Sequence, residues 1–183
     1  RWGGSESGTV PYPCWSTVDN PMRPMSRRMM MNGSPDGGIW CPAMSDAPLR
    51  GHAGRHEWFW EPDDEQHVYP LDKLMHMYEH SVGHNSTLIM GLTPDPRGQM
   101  PEVDTRRCVE WGQEIDRRYA RPLARTHGQG EELQLQLPES TVIDRVVIRE
   151  HIEQGHRIRG YALEGMTPAG EWIELGRGSC VGN

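Results

Sequence analysis

Phenylalanine is nearly missing from this chain: one residue in 183, against seven tryptophans. The aromatic surface is therefore made of large, half-polar rings, which serve as core or as platforms for a ligand. No run of about 18 apolar residues occurs, so nothing here has the pattern of a membrane-spanning helix. Cysteine is sparse and scattered. Cys14, Cys41, Cys108 and Cys180 contain no CxxC pair, which indicates neither a zinc site nor a disulfide framework. An excess of positive charge is also lacking. The formal net charge is -7, which argues against a nucleic-acid backbone as the main partner. The chain starts at Arg1 without Met or a signal-peptide pattern and stops at Ser179-Cys180-Val181-Gly182-Asn183. The expectation from both ends is a piece of something longer.

Two kinds of periodicity are present. Leu71, Leu74, Met75, Tyr78 and Val82 fall at helical spacing, which predicts an amphipathic helix over 71–82, stopped by a left-handed Gly83. Ser86 to Leu92 is a short apolar run between turn residues, which predicts a buried parallel-type strand. Asp104 is placed to cap a second helix, with Cys108, Trp111, Ile115 and Tyr119 on its inner face. Ile39-Trp40-Cys41-Pro42-Ala43-Met44 reads as another short strand, stopped by Pro42. From Gly128 the period becomes two: Leu133, Leu135 and Leu137 alternate with Gln134 and Gln136. Val142–Arg149, Ile158–Glu164 and Glu171–Leu175 also read as strands, separated by turn residues. The order is α/β first and all-β after, with the boundary near 124–130.

Several polar clusters need a reading. Arg117, Arg118, Arg121 and Arg125 are mixed with Glu110, Glu114 and Asp116, the pattern of a solvated helix face. His76, His80 and His84 lie at i, i+4 and i+8, but they are off the apolar stripe and no further ligand accompanies them, so no metal is expected. Glu6 sits on a Gly- and Ser-rich loop, either exposed and idle or held close to a ligand. Trp58-Phe59-Trp60 cannot all face one core, because neighbouring side chains point to different sides. At least one of these rings faces a groove or a partner.

Together these runs resemble glycoside hydrolase family 29, the α-L-fucosidases. The matching residues are Trp40-Cys41-Pro42-Ala43, Trp58-Phe59-Trp60, Leu74 to Tyr78, Ser81-Val82-Gly83-His84-Asn85-Ser86-Thr87-Leu88 and Pro94-Asp95-Pro96-Arg97-Gly98. The resemblance implies that residues 1–127 are the C-terminal part of a (β/α)8-type catalytic barrel. Residues 128–183 resemble the opening strands of a discoidin-like β-sandwich.

The implied reaction is retaining hydrolysis of terminal α-linked L-fucose, with an Asp nucleophile and a Glu acid/base. In the branch preferring α-1,3/1,4 linkages, that Glu follows an Arg-Trp pair in a Gly-Asn-Glu context. Here the run is Arg1-Trp2-Gly3-Gly4-Ser5-Glu6, with Ser5 where Asn is usual. The resemblance thus makes Glu6 the acid/base and puts the nucleophile upstream of Arg1. It implies that Arg1 faces the sugar or the nucleophile. Trp2 and Trp15 are expected as neighbours of Glu6, and Trp40 and Trp58 as sugar-stacking rings. Met44 stands where the family often has Glu. No cofactor is implied, the partner is a fucosylated oligosaccharide or glycoprotein glycan, and a secreted or periplasmic location is the family habit. The alternative reading is a non-catalytic carbohydrate-binding protein, using the same aromatic rings.

Overall fold

A computed structural model describes residues 1–183 apart from Gly4, Ser5, Pro21 and Arg23. Ser5, the departure in the Arg-Trp run, therefore lies outside the described residues. The elements in chain order are β1 (Thr17–Val18), α1 (Arg27–Asn32), β2 (Ile39–Trp40), β3 (Ala43–Pro48), α2 (Leu71–Glu79), β4 (Ser86–Gly91), α3 (Glu102–Tyr119), β5 (Tyr161–Met166) and β6 (Trp172–Gly178).

The centre is parallel. β3 and β4 pair from Ala43 with Ser86 to Pro48 with Gly91. Parallel neighbours need a crossover, and α2 supplies it. Residues 1–3 lie along the other edge of β3: Met44 N–H donates to Arg1 O at 2.8 Å and Gly3 N–H to Met44 O at 2.6 Å. Three segments thus point the same way.

Strand residues alternate in direction, and the alternation decides what each face does. Ala47, Leu49, Val68, Leu74 and Met77 form a buried cluster, with Leu88, Met90, Val103, Cys108 and Trp111 packed on it. This is the face covered by α2 and α3. Leu74 is fully buried there, and truncation to Ala at such a site costs about 2–5 kcal/mol. The opposite face carries Thr87 and Ile89, both exposed, beside the half-buried Met44 and Asp46. Among the described residues no second layer covers it.

Four local expectations are corrected. Pro42 does not end a strand; it separates β2, which pairs antiparallel with β1, from β3, which runs on to Pro48. Gly83 is not the left-handed residue after α2. Asn85 takes that conformation, with φ 61 and ψ 41, because its short amide also bonds Cys14 O and Ser16 Oγ. Asp104 is not a cap. α3 starts at Glu102 after Pro101, and Asp104 turns inward to pair with Arg50, its Oδ1 2.8 Å from Nη2 and its Oδ2 3.2 Å from Nε, with both side chains fully buried. The last correction concerns the tail. β5 and β6 form an antiparallel hairpin, but 133–137 and 142–149 form no strands. An alternating strand needs a partner for its backbone and a layer for its apolar face. The described residues offer neither, and Val142 is 96% exposed. The fold class is thus an α/β parallel unit with a β-hairpin, and neither a closed (β/α)8 barrel nor a sandwich is formed by these residues.

The tail docks at the N-terminal ends of β3 and β4. Tyr12 Oη accepts from the Ser179 and Cys180 N–H groups at 3.0 Å and 3.0 Å. His156 is buried beside Trp15 and Trp40. Its Nε2 accepts from Ser16 N–H at 3.2 Å and lies 3.2 Å from Asn85 Nδ2. Nδ1 lies 3.7 Å from Glu150 Oε2.

Burial holds the His156 pKa below the ordinary imidazole value of 6.5; Glu150 pulls it up and Arg159 pushes it down. The unfolded imidazole therefore binds more protons than the folded one. The stabilisation is complete above pH 6.5 and is lost as pH falls toward the folded value. We predict that the chain's unfolding midpoint drops between about pH 7 and 5 and that His156→Gln flattens this dependence. A dependence unchanged by His156→Gln contradicts the assignment.

Candidate active site

In open parallel sheets and in barrels, ligands gather at the carboxyl ends of the strands. Here three described segments lie beyond those ends: 6–10 for the first, 49–70 after β3, and 92–101 after β4. Glu6, His56 and Trp58 come from the first two.

The Glu6 loop is pinned over β3. Gly8 N–H donates to Asp46 O at 2.8 Å. Gly8 has φ 70, and a Cβ there would lie 2.8 Å from Met77 Sδ. Only glycine gives both this conformation and this approach. Trp2 Nε1–H donates to Asp46 Oδ1 at 2.6 Å, which fixes the indole at the base of the same loop. The β3 loop is braced by the bridge from Arg50 to Glu57, whose N–H donates to Arg50 O at 3.3 Å. It then presents His56, Trp58 and a 79% exposed Phe59. Trp58 lies over Gly91, where a Cβ would come within 2.5 Å of Cζ3. The missing side chain at the end of β4 is what lets the indole lie there.

Glu6 Oε2 meets His56 Nε2, and Trp58 Nε1–H donates to the same nitrogen at 3.2 Å. The contact with Glu6 can be made in either direction, Nε2–H to carboxylate or carboxyl O–H to Nε2, according to the tautomer. The trio gathers a carboxyl, an imidazole and an indole at the strand ends, with the Glu6 and His56 side chains each 44% exposed to solvent.

The remaining predicted residues lie elsewhere. Arg1 turns inward: its guanidinium donates to Trp15 O, to Met30 O at 3.4 Å and to Met31 O at 3.5 Å. Those carbonyls occupy the group that was expected to face a sugar. Trp15 is 5% exposed and packs edge-on to His156, so it is not a neighbour of Glu6. Trp40 precedes Ala43 at the opposite end of β3, roughly six strand residues or about 20 Å from the Glu6 loop. His56 was missed in the sequence. A His six residues after Arg50, on an irregular loop, has no periodicity to expose it. His76, His80 and His84 stack on one another, with centroids 3.9 Å and 5.1 Å apart. Among the described residues no group of three or more His, Cys, Asp or Glu is placed to hold a metal ion.

The α/β unit thus brings a carboxyl, an imidazole and an indole together at its strand ends. Comparison with known proteins shows what the chain is similar to. No protein-family model matches the chain. A crystal structure from Bacteroides thetaiotaomicron VPI-5482, assigned as an α-L-fucosidase, is 48% identical with a TM-score of 0.95, over 100% of this chain and 43% of that one. A glycoside hydrolase 29 family member from an unknown rumen bacterium is 29% identical with a TM-score of 0.84, over 96% of this chain and 31% of that one. α-L-Fucosidase 1 of Arabidopsis thaliana is 24% identical over 100% of this chain and 42% of its own length. The resemblance read from the sequence is upheld: the chain is similar over its whole length to parts of α-L-fucosidases and of a glycoside hydrolase 29 family member. It spans less than half the length of these relatives.

Proposed function

We propose that this chain is the part of a retaining exo-α-L-fucosidase that supplies the proton-donating half of the catalytic pair. Residues 1–127 are read as C-terminal barrel units and 128–183 as part of a discoidin-like sandwich. The observation that carries the proposal is the Glu6–His56–Trp58 trio at the strand ends. A retaining glycosidase needs one ionised carboxylate to attack and one protonated carboxyl to donate, about 5–5.5 Å apart. Glu6 is the donor in this reading.

In the first step Glu6 gives its proton to the glycosidic oxygen as that bond breaks and the fucosyl group passes to the nucleophile. In the second step ionised Glu6 takes a proton from the incoming water. His56 holds the carboxyl by its Nε2. Trp58, with Gly91 beneath it, offers the ring on which the sugar packs. The attacking Asp is assigned to a segment that the longer relatives have beyond these residues. Asp46 is not that residue in this reading, since its Oδ1 is held by Trp2. The α-1,3/1,4 preference follows from the Arg1-Trp2 context.

The test is hydrolysis of Lewis-type fucosylated oligosaccharides and of an aryl α-L-fucoside. The enzyme containing this chain turns both over, whereas residues 1–183 alone turn over neither. Activity of 1–183 alone contradicts the placement of the nucleophile. Inactivity of the longer enzyme on every fucoside contradicts the function.

A further inference from the structure

Trp40 remains unused by the site at Glu6. It lies in a cleft between the parallel unit and the docked tail, at the N-terminal ends of the strands. The cleft has a volume of about 620 Å³, within the range of small-molecule sites. Its walls come from three parts of the chain. Thr17 and Trp40 belong to β1 and β2, Gly37 and Gly38 to the turn before β2, and Glu153, Gln154, His156 and Arg159 to the tail.

Trp40 is 46% exposed. His156 lies 5.7 Å from it at an interplanar angle of 31°, which fixes the indole from one side. The polar groups around it are balanced in sign. Arg159 donates to Pro35 O, lies 3.8 Å from Asp36 and stacks over Trp15 at 5.5 Å. Glu153, 3.6 Å from His151, and Gln154, whose Oε1 accepts from Arg157 at 3.5 Å, also line the cleft, and burial favours the uncharged form of His156.

We propose that this cleft is a second saccharide site, separate from Glu6, that takes one uncharged pyranose ring. A flat ring of C–H groups covers the indole of Trp40. Its hydroxyls pair with the carboxylate of Glu153, the amide of Gln154 and the guanidinium of Arg159, each of which suits a group that both donates and accepts. A charged ligand fits less well, because either sign meets a like charge in the lining, Glu153 or Arg159. The site would hold the glycan while its fucosylated end lies at the other face, or hold a neighbouring glycan chain.

The test is calorimetric and fluorescence titration of the 183-residue chain with L-fucose, D-galactose and N-acetyllactosamine. Saturable binding of at least one sugar is expected, accompanied by a change in tryptophan emission. Trp40→Ala should weaken it at least tenfold. Glu153→Ala, at the cleft wall and away from the core, should weaken it at least threefold with the fold intact. Glu6→Gln should leave it unchanged, so the outcome is independent of the fucosidase reading. No saturable binding of any of the three sugars overturns the proposal. So does binding that survives both Trp40→Ala and Glu153→Ala, or binding that Glu6→Gln abolishes.

Discussion

Glu6→Gln, made in the enzyme that contains this chain, is expected to lower kcat/KM on a Lewis-type oligosaccharide by about 10²–10⁴-fold. The argument rests on the leaving group. A sugar alkoxide is a poor leaving group and departs only if a proton arrives as the bond breaks. Glutamine keeps the size and the contact with His56 but has no acidic proton. An aryl leaving group is stable as an anion and needs little help. Its first step should therefore fall far less, and the fucosyl-enzyme should accumulate because base assistance to water is also lost. The ratio of the two losses is the readout. Equal losses on both substrates point to a binding or folding role for Glu6.

Asp104→Ala is expected to cost about 3–5 kcal/mol of folding stability. The Arg50–Asp104 pair is bidentate, with both side chains at 0% exposure, and Arg50 Nη1 already lacks a partner. Removing the carboxylate leaves an uncompensated buried cation. The effect should reach the site, because Arg50 begins the loop that carries His56 and Trp58 and its backbone pairs with Glu57. A double change to Arg50→Met and Asp104→Leu should recover most of the stability, since two apolar groups remove the orphan charge. Denaturant melts of the three variants check this. A cost below about 1 kcal/mol for Asp104→Ala would show that the pair is solvated in solution.

The parallel unit was legible because its signals are local and periodic. α2 and β4 carry helix and strand spacing of apolar residues, and Cys108 and Trp111 of α3 fall on its inner face. What was not legible depends on contacts distant in sequence. Asp104 has every mark of an N-cap and instead pairs with Arg50, 54 residues earlier. Asn85 replaces Gly83 as the left-handed residue because Cys14, Ser16 and His156 surround its amide. The alternating leucines at 133–137 read as a strand, but a strand exists only with a partner, and none is supplied by the described residues. At the site, Glu6 was reached through the Arg1-Trp2 run, whereas His56 needed the fold to bring residues 6 and 56 together. Trp40 was read as an active-site ring because sequence position does not show that β2 breaks from β3 at Pro42 and pairs with β1.

The most direct measurement is the configuration of the product when azide rescues Glu6→Ala in the enzyme that contains this chain. If Glu6 is the acid/base, the fucosyl-enzyme still forms from an aryl fucoside. Azide then replaces the water that Glu6 would have activated, and the product is the α-L-fucosyl azide, with the configuration retained. A β-L-fucosyl azide would make Glu6 the nucleophile, and the absence of any rescue with an intact fold would remove it from the chemistry.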